Sequence, residues 1–239
     1  MELIKHLDIF DPQSLHGGSV GIIGVGALGS AVALEIAKLG VENITLYDPD
    51  SVAEHNLPNQ ILYGPNDVGE DKIEAAADMI EQLTGYRPAV DARRIGYVKI
   101  FHEYIFCCVD SMMGTAESPG RAQIFDKAIF LNHRTKLYID GRMGAKIGWG
   151  YIIDPRDPMQ VRQYCDDPDV MFPDEKIQPE VGGCGVTISI GATAHILAGM
   201  LTWMFMQAIK DQRKVGELVF RVDPWMVSWR PFTTAYDGI

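Results

Sequence analysis

Residues 20–29 read Val-Gly-Ile-Ile-Gly-Val-Gly-Ala-Leu-Gly, an apolar strand pattern that runs into a GxGxxG turn made by Gly24, Gly26 and Gly29. Glycines are required where a side chain would hold the backbone away from a phosphate, and the N-terminus of the following helix adds partial positive charge. The helical stretch 30–39 follows and Gly40 stops it. Asp48 comes nineteen residues after Gly29, at the end of a second apolar run, Ile44-Thr45-Leu46-Tyr47. An acid at that distance can accept hydrogen bonds from ribose hydroxyls. A strand, a glycine turn, a helix and a second strand ending in an acid constitute a nucleotide-binding βαβ unit. Ala27 and Leu28 complete the turn.

The remaining pattern extends this unit. Residues 72–83 place Ile73, Ala76, Ala77, Ile80 and Leu83 on one helical face. Strands are predicted at 89–93, 104–109, 129–132, 137–141, 145–153, 217–222 and 226–229, and a short helix at 122–128. The alternation predicts an α/β fold: a doubly wound, Rossmann-like sheet, mostly parallel in its N-terminal half and mixed or antiparallel in its C-terminal half. Prolines 155, 158, 168, 173 and 179 interrupt an acidic stretch. Residues 154–183 are therefore expected to form a flexible flap on a single domain spanning 1–239.

Net charge is −11, which disfavours a nucleic-acid partner. The four cysteines include no C-x-x-C pair and no signal-peptide pattern leads the chain, so a cytoplasmic location is expected. Residues 186–209 are apolar enough to raise the question of a membrane span, but Thr187, Ser189, Thr193 and Thr202 and the lack of a basic flank favour a buried helix. His195 within it reads as a core histidine.

Asp48-Pro49-Asp50, Val52, Asn56-Leu57 and Gln60 resemble the D-x-D-x-V-x-x-x-N-L-x-R-Q segment of the ThiF/MoeB adenylyltransferases and the related ubiquitin-activating enzymes. The V-G-x-x-K element follows at Val68, Gly69 and Lys72, the strand before Asp110 is similar to the family's, and the glycine turn at Cys184-Gly185 precedes a long helix as in the family. The resemblance implies ATP and magnesium as cofactors. It implies adenylation of the C-terminal carboxylate of a ubiquitin-like or sulfur-carrier protein, or of a peptide, and a homodimer. Lys72 then stands as the phosphate-binding catalytic cation; an ordinary exposed lysine in the first turn would oppose the helix dipole. Asp110 is the expected magnesium or phosphate-orienting carboxylate, and its ordinary reading is a helix N-cap. Asp48 is the ribose ligand. Asp50, Asn56, Asn59 and Gln60 are further nucleotide contacts or polar turn residues.

Two departures stand out. Asn59 replaces the family arginine before Gln60, and residues 1–18 contain no arginine. Arg134 or Arg142 is the available substitute. No paired Cys/His spacing supports zinc. Cys184, at a helix N-terminus, is a candidate thioester or persulfide nucleophile. Cys165, among Asp166, Asp167 and Asp169, is not. A degenerate, non-catalytic half of a heterodimeric activating enzyme and an NAD-dependent oxidoreductase are the competing readings.

Overall fold

The computed structural model describes residues 2–93, 95, 102–111, 120–130, 134–166, 189–211 and 214–233. Eight strands form one sheet in the order β3-β2-β1-β4-β5-β6-β7-β8. In chain order the elements are β1 (Val20–Ile23), α1 (Ala27–Lys38), β2 (Ile44–Tyr47), α2 (Lys72–Thr84), β3 (Ala89–Asp91), β4 (Tyr104–Cys107) and α3 (Arg121–Phe130). They continue with β5 (Leu137–Met143), β6 (Ile147–Ile153), α4 (Pro158–Asp166), α5 (Gly191–Lys210), β7 (Gly216–Val222) and β8 (Trp225–Pro231). Neighbours from β3 to β5 pair in parallel. Neighbours from β5 to β8 pair antiparallel. The division between a parallel N-terminal half and an antiparallel C-terminal half is the expected one.

The chain leaves β1 for β2 on one side and β4 lies on the other. The strand order therefore reverses between β1 and β4, and in such sheets a crevice opens at the carboxyl ends of the two strands. The glycine turn follows β1 there, and Asp110 follows β4. Burial explains the all-apolar β4: Tyr104, Ile105, Phe106 and Cys107 have neighbours on both faces. Phe205 of α5 meets the rings of Phe10, Tyr104 and Phe106 at centroid distances of 5.4–6.2 Å. Phe125, Tyr138 and Tyr164 form a second aromatic cluster.

Helix α5 is long and apolar enough to cross a membrane by length and composition. It packs on α1 and on β5 and β6, and Leu197, Leu201 and Phe205 are fully buried, as in the core helix of a folded domain. Two details differ from the sequence reading. Ser189 and Ile190 precede the helix, which starts at Gly191, and His195 lies on its exposed side; residues 186–188 lie outside the described residues. The first two residues of the strand predicted at 129–132 are instead the end of α3, which runs to Phe130. Residues 131–133 are outside the described residues.

The predicted flap also needs correction in its first part. Residues 158–166 form α4. Asp157 caps it: its Oδ1 accepts from Met159 N at 2.9 Å, and Pro158 occupies the first helical position, where no N–H is needed. Gln160 and Tyr164 fix the helix by burying inward. The rest of the predicted flap, residues 167–183, lies outside the described residues.

Candidate nucleotide site

The turn after β1 is built from backbone restrictions. Gly24 has φ +83°, and a Cβ there would stand 3.1 Å from the backbone of Cys108 and Val109. A Cβ on Gly29 would lie 1.8 Å from the Gly24 carbonyl oxygen, so the first turn of α1 can approach β1 only with glycine at that position. At Gly26 the nearest atom to such a Cβ is Gln60 Nε2 at 4.0 Å, which leaves the concave side of the turn open. Ala27 and Leu28 open α1, and Leu28 buries its side chain while the helix N-terminus faces the turn. Tyr63, not singled out in the sequence, donates its hydroxyl to the Val25 carbonyl at 2.7 Å and holds the turn from behind.

Asp48 is joined directly to this turn. Its Oδ2 accepts from Val25 N at 2.7 Å and its Oδ1 from Asp50 N at 3.0 Å. Burial pushes the Asp48 carboxyl above the usual aspartate range, while the Lys72 cation and the two N–H groups oppose that rise.

Lys72 reaches the site by a short antiparallel bridge between Ser51 and Asp71. Val52 N donates to Glu70 O at 2.8 Å, and Lys72 N to Asp50 O at 3.0 Å. This places the first residue of α2 beside Asp50, and Lys72 Nζ lies 3.1 Å from Asp50 Oδ2. Lys72 is only 7% exposed, so it is no ordinary surface lysine. Asp50 is thereby a partner of the cation as well as a turn residue.

The three polar residues of the connecting loop differ in use. Asn56 Oδ1 accepts from Ala53 N at 3.0 Å, which is the turn-forming role. Asn59 donates from Nδ2 to Ser189 Oγ at 3.0 Å and so ties the loop to the entry of α5. Gln60 is buried beside Gly26, and its Oε1 has no hydrogen-bond partner. A buried carboxamide with a spare polar end at an open glycine turn fits a polar ligand group.

Asp110 lies just past β4 with its side chain exposed, at the crevice. The first described helix after it is α3, at Arg121. No cluster of three or more Asp, Glu, His or Cys side chains is placed to hold a metal among the described residues. A single carboxylate beside phosphates is the setting in which magnesium is commonly held, with the nucleotide supplying the other oxygens.

Arg142 does not stand free as a substitute for the missing arginines. Its Nε donates to Asp140 Oδ2 at 2.7 Å, and its guanidinium lies 4.6 Å over the Tyr151 ring. Arg121 and Tyr164 bind the same carboxylate. Burial works against the Arg142 charge, but Asp140 and the flanking tyrosines outweigh it and hold the proton more tightly. Arg134 is exposed and precedes β5. Burial, with Asp126 and Asp166 nearby, pushes the Cys165 thiol up to about 11, as its acidic sequence context implied. Cys184 lies outside the described residues.

A model of the ThiF family matches residues 11–236. The chain belongs to the ThiF family. This ThiF-family chain is 28% identical over 116 residues to the molybdopterin-synthase adenylyltransferase of Escherichia coli K12, covering 46% of this chain and 47% of that one. It is 28% identical over 130 residues to the adenylyltransferase and sulfurtransferase uba4 of Aspergillus niger, covering 54% of this chain and 27% of that one. The chain thus spans about half the length of the first relative and about a quarter of the second. Among solved structures, E. coli MccB with selenomethionine MccA superposes with a TM-score of 0.70 at 16% identity, covering 92% of this chain and 65% of that one. MccB with ATP gives 0.67 at 15% identity, covering the same shares. At these identities the likeness shows the fold.

Proposed function

We propose that this chain binds ATP with magnesium and adenylates the C-terminal carboxylate of a peptide or of a small ubiquitin-like or sulfur-carrier protein. The observation that carries the reading is one connected constellation. The glycine turn after β1, Asp48 on Val25 N, Asp50 and the buried Lys72 are linked to one another at the carboxyl ends of β1 and β2. Family membership supports it, as do the adenylyltransferase names of the relatives and the MccB structures with MccA and with ATP. A dinucleotide oxidoreductase would need the turn and Asp48 but leaves the placement of Lys72 without a purpose.

In this reading a carboxylate oxygen attacks the α-phosphorus, the bond to the bridging oxygen of the β-phosphate breaks, and pyrophosphate leaves. Both reactants are anionic. The N–H groups at the start of α1 and the Lys72 ammonium therefore have to offset charge that grows on the phosphates. Asp48 orients the ribose, and Gln60 presents its amide Nε2 nearest Gly26 as a donor. Magnesium, held by Asp110 and the phosphates, would neutralise the departing pyrophosphate. Because both sides of the transition state are held in place, orientation supplies much of the remaining acceleration.

Calorimetry with ATP and with NAD, each with magnesium, tests the nucleotide. ATP should bind tightly and NAD poorly; the reverse order would overturn the reading. ATP–pyrophosphate exchange against candidate peptides and carriers then tests the chemistry. ATP binding without exchange for any of them would point to the non-catalytic partner role instead.

A further inference from the structure

The charged cluster around Asp140 is absent from the chemistry above, yet it lies at the same end of the sheet. Asp140 pairs in register with Cys107, the last residue of β4, and it is fully buried. Its Oδ1 accepts from Arg121 Nε at 3.0 Å. Its Oδ2 accepts from Arg142 Nε at 2.7 Å and from the Tyr164 hydroxyl at 2.8 Å. Arg121 spends a second donor, Nη2, on the Gly141 carbonyl at 2.9 Å. The planar fork of Arg121 is thus held at two points on β5.

Arg121 also holds something in turn. Its backbone N–H donates to the Ser111 carbonyl at 2.9 Å. On the other side of Asp110, Cys108 N donates to Ile23 O at 2.8 Å. Two backbone hydrogen bonds therefore bracket Asp110, and the one at Ser111 depends on where Arg121 sits. Burying two arginines and an aspartate is costly, and replacing such a cluster with apolar residues is often neutral or stabilising. Stability alone gives little reason to keep it.

We propose that Asp140 and Arg121 are positioning residues for Asp110, so that the buried ion pair sets how well the site takes magnesium with its nucleotide. This rests on the ATP reading above. The side chains that orient a metal-binding group from behind typically change metal affinity by about 10–100-fold when removed. The effect here is transmitted through one backbone hydrogen bond, so the lower end is expected.

The test is calorimetric and needs no turnover. ATP is titrated into the full chain with and without magnesium, and the ratio of the two affinities is the magnesium gain. Arg121→Lys keeps the charge but cannot span Asp140 and Gly141 together. It should cut the magnesium gain about tenfold and leave magnesium-free ATP affinity unchanged. Arg121→Met should cut it further. Tyr164→Phe removes a different partner of the same carboxylate, on α4, and should lower the melting temperature without changing the gain. If Arg121→Lys keeps the full gain, or loses affinity equally with and without magnesium, the cluster is scaffold and the inference is overturned. If the wild-type chain binds no ATP under either condition, the functional reading fails and takes the inference with it. The wild-type titration therefore separates the two failures.

Discussion

Lys72 shows how a residue identified by spacing gains a physical role. The sequence predicted a cation twelve residues after Gln60. The structure buries it against Asp50, and its charge acts on Asp48. Lys72→Ala should lower pyrophosphate exchange by about 10²–10³-fold, the usual cost of one electrostatic stabiliser. Its stability cost should be about 1 kcal/mol, because the Asp50 left behind is exposed and water solvates it. Exchange at the wild-type rate would reduce Lys72 to a structural partner of Asp50. Asp48 gives a pH signature. Its carboxyl titrates above the ordinary aspartate range because of burial. On acidification it takes up a proton early and can no longer accept from ribose hydroxyls. ATP affinity should therefore weaken as pH falls through that raised range, and Asp48→Asn should bind weakly with no slope across the same window. The folding contribution has the opposite sign. A carboxyl with a raised folded pKa stabilises the fold at low pH, and that contribution is lost as pH rises through the folded value. A pH-independent ATP affinity in the wild type would show that Asp48 is not the ribose acceptor.

Among the elements, the strand–turn–helix of β1 and α1 was legible because its constraints are local. Glycine at 24 is favoured by its own φ of +83°, and glycine at 29 is required by the Gly24 carbonyl five residues earlier. Gly29→Ala would push a methyl group into the Gly24 carbonyl. It should cost about 1–3 kcal/mol and abolish ATP binding, read by denaturant melts and calorimetry; a stable variant with normal affinity would contradict the close approach described here. Helix α4 was equally local but was missed. Asp157-Pro158 is an N-cap followed by a first-turn proline, yet the density of prolines was read as loop. The Asp140 cluster was not legible for a different reason. Arg121, Asp140 and Tyr164 lie on three elements, and only the packing of helices α3 and α4 against β5 brings them together. Arg142 was noted for its charge, but nothing in the sequence showed that Asp140 already holds it. Likewise the tie from Asn59 to Ser189 joins residues 130 positions apart.

At the scale of the whole molecule, β8 ends the sheet among the described residues and carries exposed apolar side chains. Register places Leu218, Phe220 and Val222 of β7 on one face with Trp229, Val227 and Trp225 of β8. Trp225 is 73% exposed, and Trp203 of α5 is 51% exposed. A second copy of the chain, expected from the family resemblance, would cover such surface. A stable contact needs about 800 Å² per partner, and each tryptophan can supply roughly 150–250 Å². Sedimentation at micromolar concentration should give twice the 26.5 kDa mass, and Trp225→Asp with Trp229→Asp should return a monomer. A wild-type monomer would remove the dimer from the picture. All four tryptophans, at 149, 203, 225 and 229, lie in β6, α5 and β8, and none is in the parallel half. The intrinsic fluorescence of this protein is therefore an optical report on one end of the sheet. Its emission should shift to the red as the protein is diluted below the dimer's dissociation constant, whereas filling the glycine turn with nucleotide should leave the spectrum nearly still.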